Sequence, residues 1–129
     1  MASGVETGAV LGTVLVVDDS GYARIRLKSF LLERGFTRVV DASDGDSALE
    51  QFKRHKPCLV LMDQVMRGCE GVETARLMLA LDPGVNVVML TAVTDRAFHE
   101  RSLAIGVRKV LPKLDMEALA ATLHELGHE

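Results

Sequence analysis

Five side chains able to do chemistry stand directly after apolar runs in this 129-residue sequence. Asp18 and Asp19 follow Val14-Leu15-Val16-Val17, and Asp63 follows Cys58-Leu59-Val60-Leu61-Met62. Thr91 follows Val87-Val88-Met89-Leu90, and Lys113 follows Val110-Leu111-Pro112. If these runs are strands of a parallel sheet, the groups at their carboxyl ends converge on one crevice. Three carboxylates at such range repel one another unless a cation lies among them. A purely oxygen donor set calls for a hard divalent ion, Mg²⁺. A metal-bound carboxylate overlooked by a hydroxyl and an ammonium suits phosphoryl transfer onto that carboxylate.

Each group taken singly has a plainer explanation. An Asp pair after a strand is often a helix N-cap, a Thr there is often a turn residue, and a lone Lys is usually solvated. The joint arrangement argues otherwise, because independent structural needs have no reason to gather all of them on one edge of one sheet. His55, His99, His124 and His128 lack metal spacing and read as surface residues.

The elements that would position these groups alternate in type. Short apolar runs at about 13–18, 38–42, 58–63, 86–91 and 108–112 read as strands. Segments of helical period near 20–34, 44–55, 70–82, 94–105 and 115–127 separate or follow them. That alternation predicts repeated βαβ units, hence an α/β fold with a parallel sheet covered by helices on both faces. The first, third and fourth runs are apolar at nearly every position, as central strands must be. Gly35, Gly106 and Gly127 read as helix stops, and Asp44 and Asp115 as N-caps. In the first helix Ala23, Leu27, Phe30 and Leu31 form the stripe for the sheet. At about 100° per residue, Tyr22, Ile25 and Leu32 fall on the opposite side, either as scattered surface residues or as a docking surface. Leu77 and Leu81 pose the same question on the third helix.

Composition narrows the function classes. With 48% apolar and 26% charged residues, the chain suits one small globular domain over residues 13–128, after a flexible leader at 1–12 containing Gly4, Gly8 and Gly12. A net charge of -3 gives no long-range attraction for nucleic acid or an anionic membrane. No apolar stretch approaches the ~20 residues that span a bilayer, and the start lacks signal-peptide character. Cys58 and Cys69 match no zinc or redox spacing, so a reduced cytoplasmic setting is expected.

The residues also carry a resemblance. Val-Leu-Val-Val-Asp-Asp-Ser, then Leu-Val-Leu-Met-Asp-Gln-Val-Met with Gly71 eight residues past Asp63, then Val-Val-Met-Leu-Thr-Ala and Ile-Gly-Val-Arg-Lys-Val-Leu-Pro-Lys, follow in order. Asp63 lies 44 positions after Asp19, and Lys113 lies 22 after Thr91. This set resembles the receiver domain of two-component response regulators, of the single-domain, chemotaxis-regulator kind. The resemblance implies a flavodoxin-like five-stranded parallel sheet of order 2-1-3-4-5. It also implies a domain that promotes its own phosphorylation and dephosphorylation, on an aspartate, in a phosphorelay. By position, Asp63 resembles the phospho-acceptor, Asp18 and Asp19 the Mg²⁺-holding pair, and Val65 the residue whose carbonyl adds a ligand. Thr91 and Lys113 resemble the groups that meet the phosphoryl oxygens. The implied partners are a sensor histidine kinase or histidine phosphotransfer protein and a downstream protein target, with room for weak self-association and no direct nucleic-acid contact or membrane insertion.

Some positions depart from the family pattern. Proline precedes Lys113 where the family has a cis proline after the lysine; a cis bond at Leu114 would cost about 3–4 kcal/mol, so a trans peptide is expected. Val110 stands where an aromatic usually couples to the threonine, and Arg67 where a proline usually follows Met66. Val65 and Val93, two residues past Asp63 and Thr91, cannot orient an attacking water, which predicts slow loss of the phosphoryl group. The resemblance places output through protein contacts on the face of the fourth helix, fifth strand and fifth helix, where Arg96, His99, Arg108 and Lys109 form either a docking cluster or a solvated face. Two alternatives remain: a receiver-like binding module that signals without phosphorylation, and a nucleotide binder or phosphohydrolase of the same topology. The last fits poorly, since Asp18-Asp19-Ser20-Gly21 offers no glycine-rich phosphate cradle.

Overall fold

Strands that are apolar on every residue need cover on both faces, and the sheet has it. The structure, a computed structural model, describes residues 12–93 and 95–127. Strands β1 (Thr13–Val17), β2 (Arg38–Ala42), β3 (Leu59–Met62), β6 (Asn86–Thr91) and β7 (Lys109–Pro112) form one parallel sheet of order β2-β1-β3-β6-β7. With the short strands β4 (Val65–Met66) and β5 (Cys69–Glu70) set aside, this is the expected 2-1-3-4-5 arrangement. The leader expected at 1–12 lies outside the described residues except for Gly12, as does His128.

Alternate residues of each central strand enter different cores, as the two-residue period of a strand requires. Val14 and Val16, Leu59 and Leu61, and Val88 and Leu90 join Leu27 and Leu31 of α1 (Gly21–Glu33) and Leu119 and Leu123 of α5 (Met116–Glu125). Leu15 and Val17, Val60 and Met62, and Val87 and Met89 face the other way. There they pack on Ala48 and Phe52 of α2 (Gly45–His55), Val72, Ala75 and Met78 of α3 (Gly71–Leu81), and Phe98 of α4 (Arg96–Ala104). The stripe Ala23, Leu27, Leu31 of α1 is buried and Phe30 packs beside it, while Tyr22, Ile25 and Leu32 are exposed.

The helices begin just inside the expected ranges because their caps stay outside them. Asp44 accepts from the Ser47 N–H and Asp115 from the Ala118 N–H, both as expected, and Ser20 and Asp95 cap α1 and α4 in the same way. Gly35, Gly106 and Gly127 follow helix ends with positive φ. Lys56 takes the left-handed C-cap of α2, where no glycine announced it.

Two local features differ from or refine the expectation. Residues 64–70, expected as a loop, contain an antiparallel hairpin pairing Val65 with Glu70 and Met66 with Cys69. Its two-residue strands are too short to show alternation in sequence, and Gly68 supplies the positive φ of its turn. After β7, all described peptides are trans, as expected at Leu114, but Leu114 itself adopts φ 62. A left-handed leucine costs about 1–2 kcal/mol. It is held by a turn in which the Asp115 N–H donates to the Pro112 carbonyl, and its side chain packs on the α1/α5 core.

Truncation separates the two sides of α1. Leu31 is fully buried and Ile25 is 70% exposed, so Leu31→Ala should lower unfolding free energy by about 2–5 kcal/mol. Ile25→Ala should change it by less than about 0.5 kcal/mol. Urea denaturation of both variants checks the pair.

Candidate functional site

The register of the sheet brings the acidic groups together. Val17 of β1 pairs with Met62 of β3, so the next residues, Asp18 and Asp63, leave the sheet side by side. The bonds Asp63 N–H to Val17 carbonyl (3.0 Å) and Asp18 N–H to Ala42 carbonyl (3.1 Å) continue the ladder into the site. Asp18, Asp19 and Asp63 each offer an oxygen lying within 4.8 Å of the others. The cap of α1 falls to Ser20, whose hydroxyl accepts from the Ala23 N–H. Neither aspartate is therefore consumed as that cap, although Asp18 Oδ1 accepts from the Ser20 N–H at 2.9 Å.

Lys113 reaches this cluster from the far side of the sheet. Thr91 pairs with Pro112, and the Lys113 N–H donates to the Thr91 carbonyl at 3.2 Å, which fixes where the lysine departs from β7. Its Nζ lies 3.1 Å from Asp18 Oδ2 and 3.1 Å from Asp63 Oδ2. The proline before it therefore does not misdirect the side chain. Asp18 is 2% exposed and Asp63 4%, so both carboxylates have lost most of their water and depend on this ammonium. Burial, followed by the charge of Asp63, pushes Asp18 above the ordinary carboxylate range despite bonds from Ser20 and Lys113. Burial works to lower the Lys113 pKa, but the bonds to Asp63 and Asp18 outweigh it and the net direction is upward.

Thr91 is buried, and its hydroxyl accepts from the Val93 N–H at 3.2 Å, leaving its own proton to donate. Thr91, Val93, His99, Val110 and Lys113 line a groove of about 390 Å³. His99 is thus half-buried at the rim of this groove rather than a plain surface residue, while His124 is exposed. Val65 is 66% exposed on the hairpin and Val93 packs partly against the core.

Three supporting residues had weaker signals in the sequence. Arg24, one turn into α1, donates from Nη1 to the Asp18 carbonyl at 2.8 Å and from Nε to Asp41 Oδ2 at 3.2 Å. It ties the acidic loop to the ends of β1 and β2; a basic residue five positions past Asp19 was its only trace. Gln64 is buried beside Asp63, and its Oε1 accepts from the Val72 N–H at 2.8 Å. Gly71 is required by close approach: a Cβ there would overlap the Asp63 carbonyl oxygen and stand 3.0 Å from Gln64 Cα.

The raised pKa of Asp18 has a definite sign for stability. The folded state keeps this proton to higher pH than the unfolded chain, whose carboxyl titrates near 3.8, so the metal-free protein loses stability as pH rises through that window. Lys113 contributes stability that is present below its unfolded value of 10.5 and is lost as pH climbs through its raised folded pKa. In metal-free buffer at pH 7, Asp18→Asn should therefore be more stable than the parent, with the gain shrinking toward pH 4. Denaturation midpoints across pH 3.5–8 check the sign.

Residues 14–124 match the family described as response regulator receiver domain. Among curated relatives, protein CcdB of Bacillus subtilis is 31% identical over 117 residues, covering 89% of this chain and 98% of that one. Chemotaxis protein CheY of the same organism is 28% identical over 100 residues, covering 78% and 83%. Among solved structures, the Vibrio cholerae chemotaxis protein CheY4 superposes with a TM-score of 0.81 at 26% identity, covering 88% of this chain and 97% of that one. The CheX-CheY-BeF3-Mg²⁺ complex from Borrelia burgdorferi gives 0.83 at 24% identity, covering 89% of each chain, which speaks to the fold alone. Family match, sheet order and the gathered acidic residues agree: the chain belongs to the response regulator receiver domains of two-component signalling systems.

Proposed function

We propose that this domain accepts a phosphoryl group on Asp63 from a phosphohistidine of a partner kinase or phosphotransfer protein, in a Mg²⁺-dependent reaction, and signals in the cytoplasm through protein contacts. The observation that carries the reading is the set Asp18, Asp19 and Asp63, one oxygen each within 4.8 Å, with Asp18 and Asp63 bridged by Lys113. The donor set suits a hard cation: three carboxylates, two of them buried, to which the carbonyl of Val65 would add a further oxygen ligand. Bound there, Mg²⁺ would offset the charge of the carboxylates and of the incoming phosphoryl oxygens.

The chain's own groups have separate tasks. An Asp63 oxygen forms the new bond to phosphorus as the phosphorus–nitrogen bond of the donor breaks, and the donor imidazole leaves. Asp18 and Asp19 would hold the cation. Lys113, now paired with Asp18 and Asp63, would pair with a phosphoryl oxygen as a compact point charge on a flexible stem. Thr91 would donate its hydroxyl proton to another. Because Val110 replaces an aromatic, coupling from Thr91 to the α4–β7–α5 face must run through backbone and valine packing. That face carries Arg96, His99, Arg108 and Lys109, and would present them to a downstream protein.

One observation favours a second reading. Lys113 Nζ lies 3.1 Å from both buried carboxylates and offsets part of their charge, which would suit a receiver-like module that binds partners in a single unphosphorylated form. Mass spectrometry after incubation with Mg²⁺ and a small phosphoramidate donor decides between them. The parent should gain one phosphoryl group; Asp63→Asn, or chelation of the metal, should reduce uptake by at least about 10³-fold, since removing the nucleophile removes the covalent route. Equal labelling of Asp63→Asn would refute Asp63 as acceptor. No labelling of the parent would favour the binding module.

The lifetime of the modified state follows from its neighbours. Val65→Asn and Val93→Glu should each hasten loss of the acyl phosphate, by up to about 10²-fold for a well-placed polar group. Identical decay in parent and variants would show that apolar flanks do not set the lifetime.

A further inference from the structure

Every described helix but one draws its N-cap from its own chain neighbour. Ser20, Asp44, Asp95 and Asp115 each accept from an N–H in the helix they precede, whereas Glu70, at the N-cap of α3, makes no side-chain cap bond. The first N–H groups of α3 are instead taken by the residue beside Asp63. The Gln64 carbonyl accepts from the Gly71 N–H at 2.8 Å, and Gln64 Oε1 accepts from the Val72 N–H at 2.8 Å. Gly71 lies so close that any Cβ would overlap the Asp63 carbonyl oxygen. On its other side the Asp63 N–H is held by the Val17 carbonyl at 3.0 Å.

We propose that Gln64 is a positioning residue for the acceptor: by capping α3 from across the hairpin, its side chain clamps the Asp63–Gln64 peptide between β1 and the first turn of α3, and so aims the Asp63 carboxylate into the acidic cluster. The inference rests on the reading of Asp63 as phospho-acceptor and adds a regulator of its geometry. A helix end must find acceptors somewhere, and here that requirement is coupled to the reactive centre instead of being met locally. The hairpin between the two ends of the clamp can then change without moving Asp63.

Capping and aiming can be separated experimentally. Gln64→Met keeps the length of the side chain and removes the acceptor oxygen. Adding Glu70→Ser to it supplies a local cap and restores the end of α3, but it does not restore the tie to the acceptor peptide. The parent, the single and the double variant are compared in denaturant stability, in amide exchange at Val72 and Asp63 without metal, in Mg²⁺ affinity from amide shifts, and in phosphoryl uptake from phosphoramidate. Expected are faster exchange at Asp63 and Mg²⁺ affinity weakened about tenfold or more in both variants, with stability recovered only in the double. Recovery of affinity and uptake together with stability in the double variant, or no loss of affinity in Gln64→Met, would overturn the positioning role. A parent that binds Mg²⁺ but takes up no phosphoryl group would instead refute the acceptor reading, while the exchange and affinity comparisons would still decide the role of Gln64.

Discussion

Two carboxylates that have lost nearly all contact with water face each other at the ends of adjacent strands, and the arrangement of the site follows from how their repulsion is relieved. Asp18 and Asp63 have no freedom to separate, because the pairing of Val17 with Met62 fixes their backbones in register. Relief comes from Lys113, delivered by the outermost strand through a bond to the Thr91 carbonyl. The sheet therefore acts as a ruler. Shifting β1, β3 or β7 by one residue would turn a charged side chain toward one of the two apolar cores.

The fold was legible because its signals are repeated and redundant. Strands apolar on both faces, helices with a single buried stripe and glycines after three of the helical runs all point to the same layered arrangement. The five chemical groups could be read for a related reason: each stands at the carboxyl end of a strand or within two residues of it, where the fold leaves little choice of direction. Such placement needs no knowledge of side-chain conformation.

What escaped the sequence lies in contacts across the chain that have no periodicity. The hairpin at Val65–Met66 and Cys69–Glu70 is too short for alternation to register. The left-handed conformations of Lys56 and Leu114 are imposed by surrounding structure against local preference. No periodic signal marks Gln64, which is buried and bonded to α3. Nor does one mark Arg24, which bonds the Asp18 carbonyl. His99, read as surface, lies at the rim of a groove because α4 packs beside the loop after β6. In each case tertiary packing decided the outcome, and single-residue tendencies gave little notice of it.

The close contact of Gly71 with the Asp63 carbonyl contrasts with the open space around Gly68 at the hairpin turn, where an added methyl group would meet nothing within 4 Å. The first site tolerates no side chain, whereas at the second only the backbone angle limits the choice. Within a few residues of Asp63, the segment thus combines an anchor closed to substitution with a tip open to sequence drift. Variation at Val65 and Arg67 can reshape the hairpin beside the acidic cluster while the anchor that holds the cluster stays fixed.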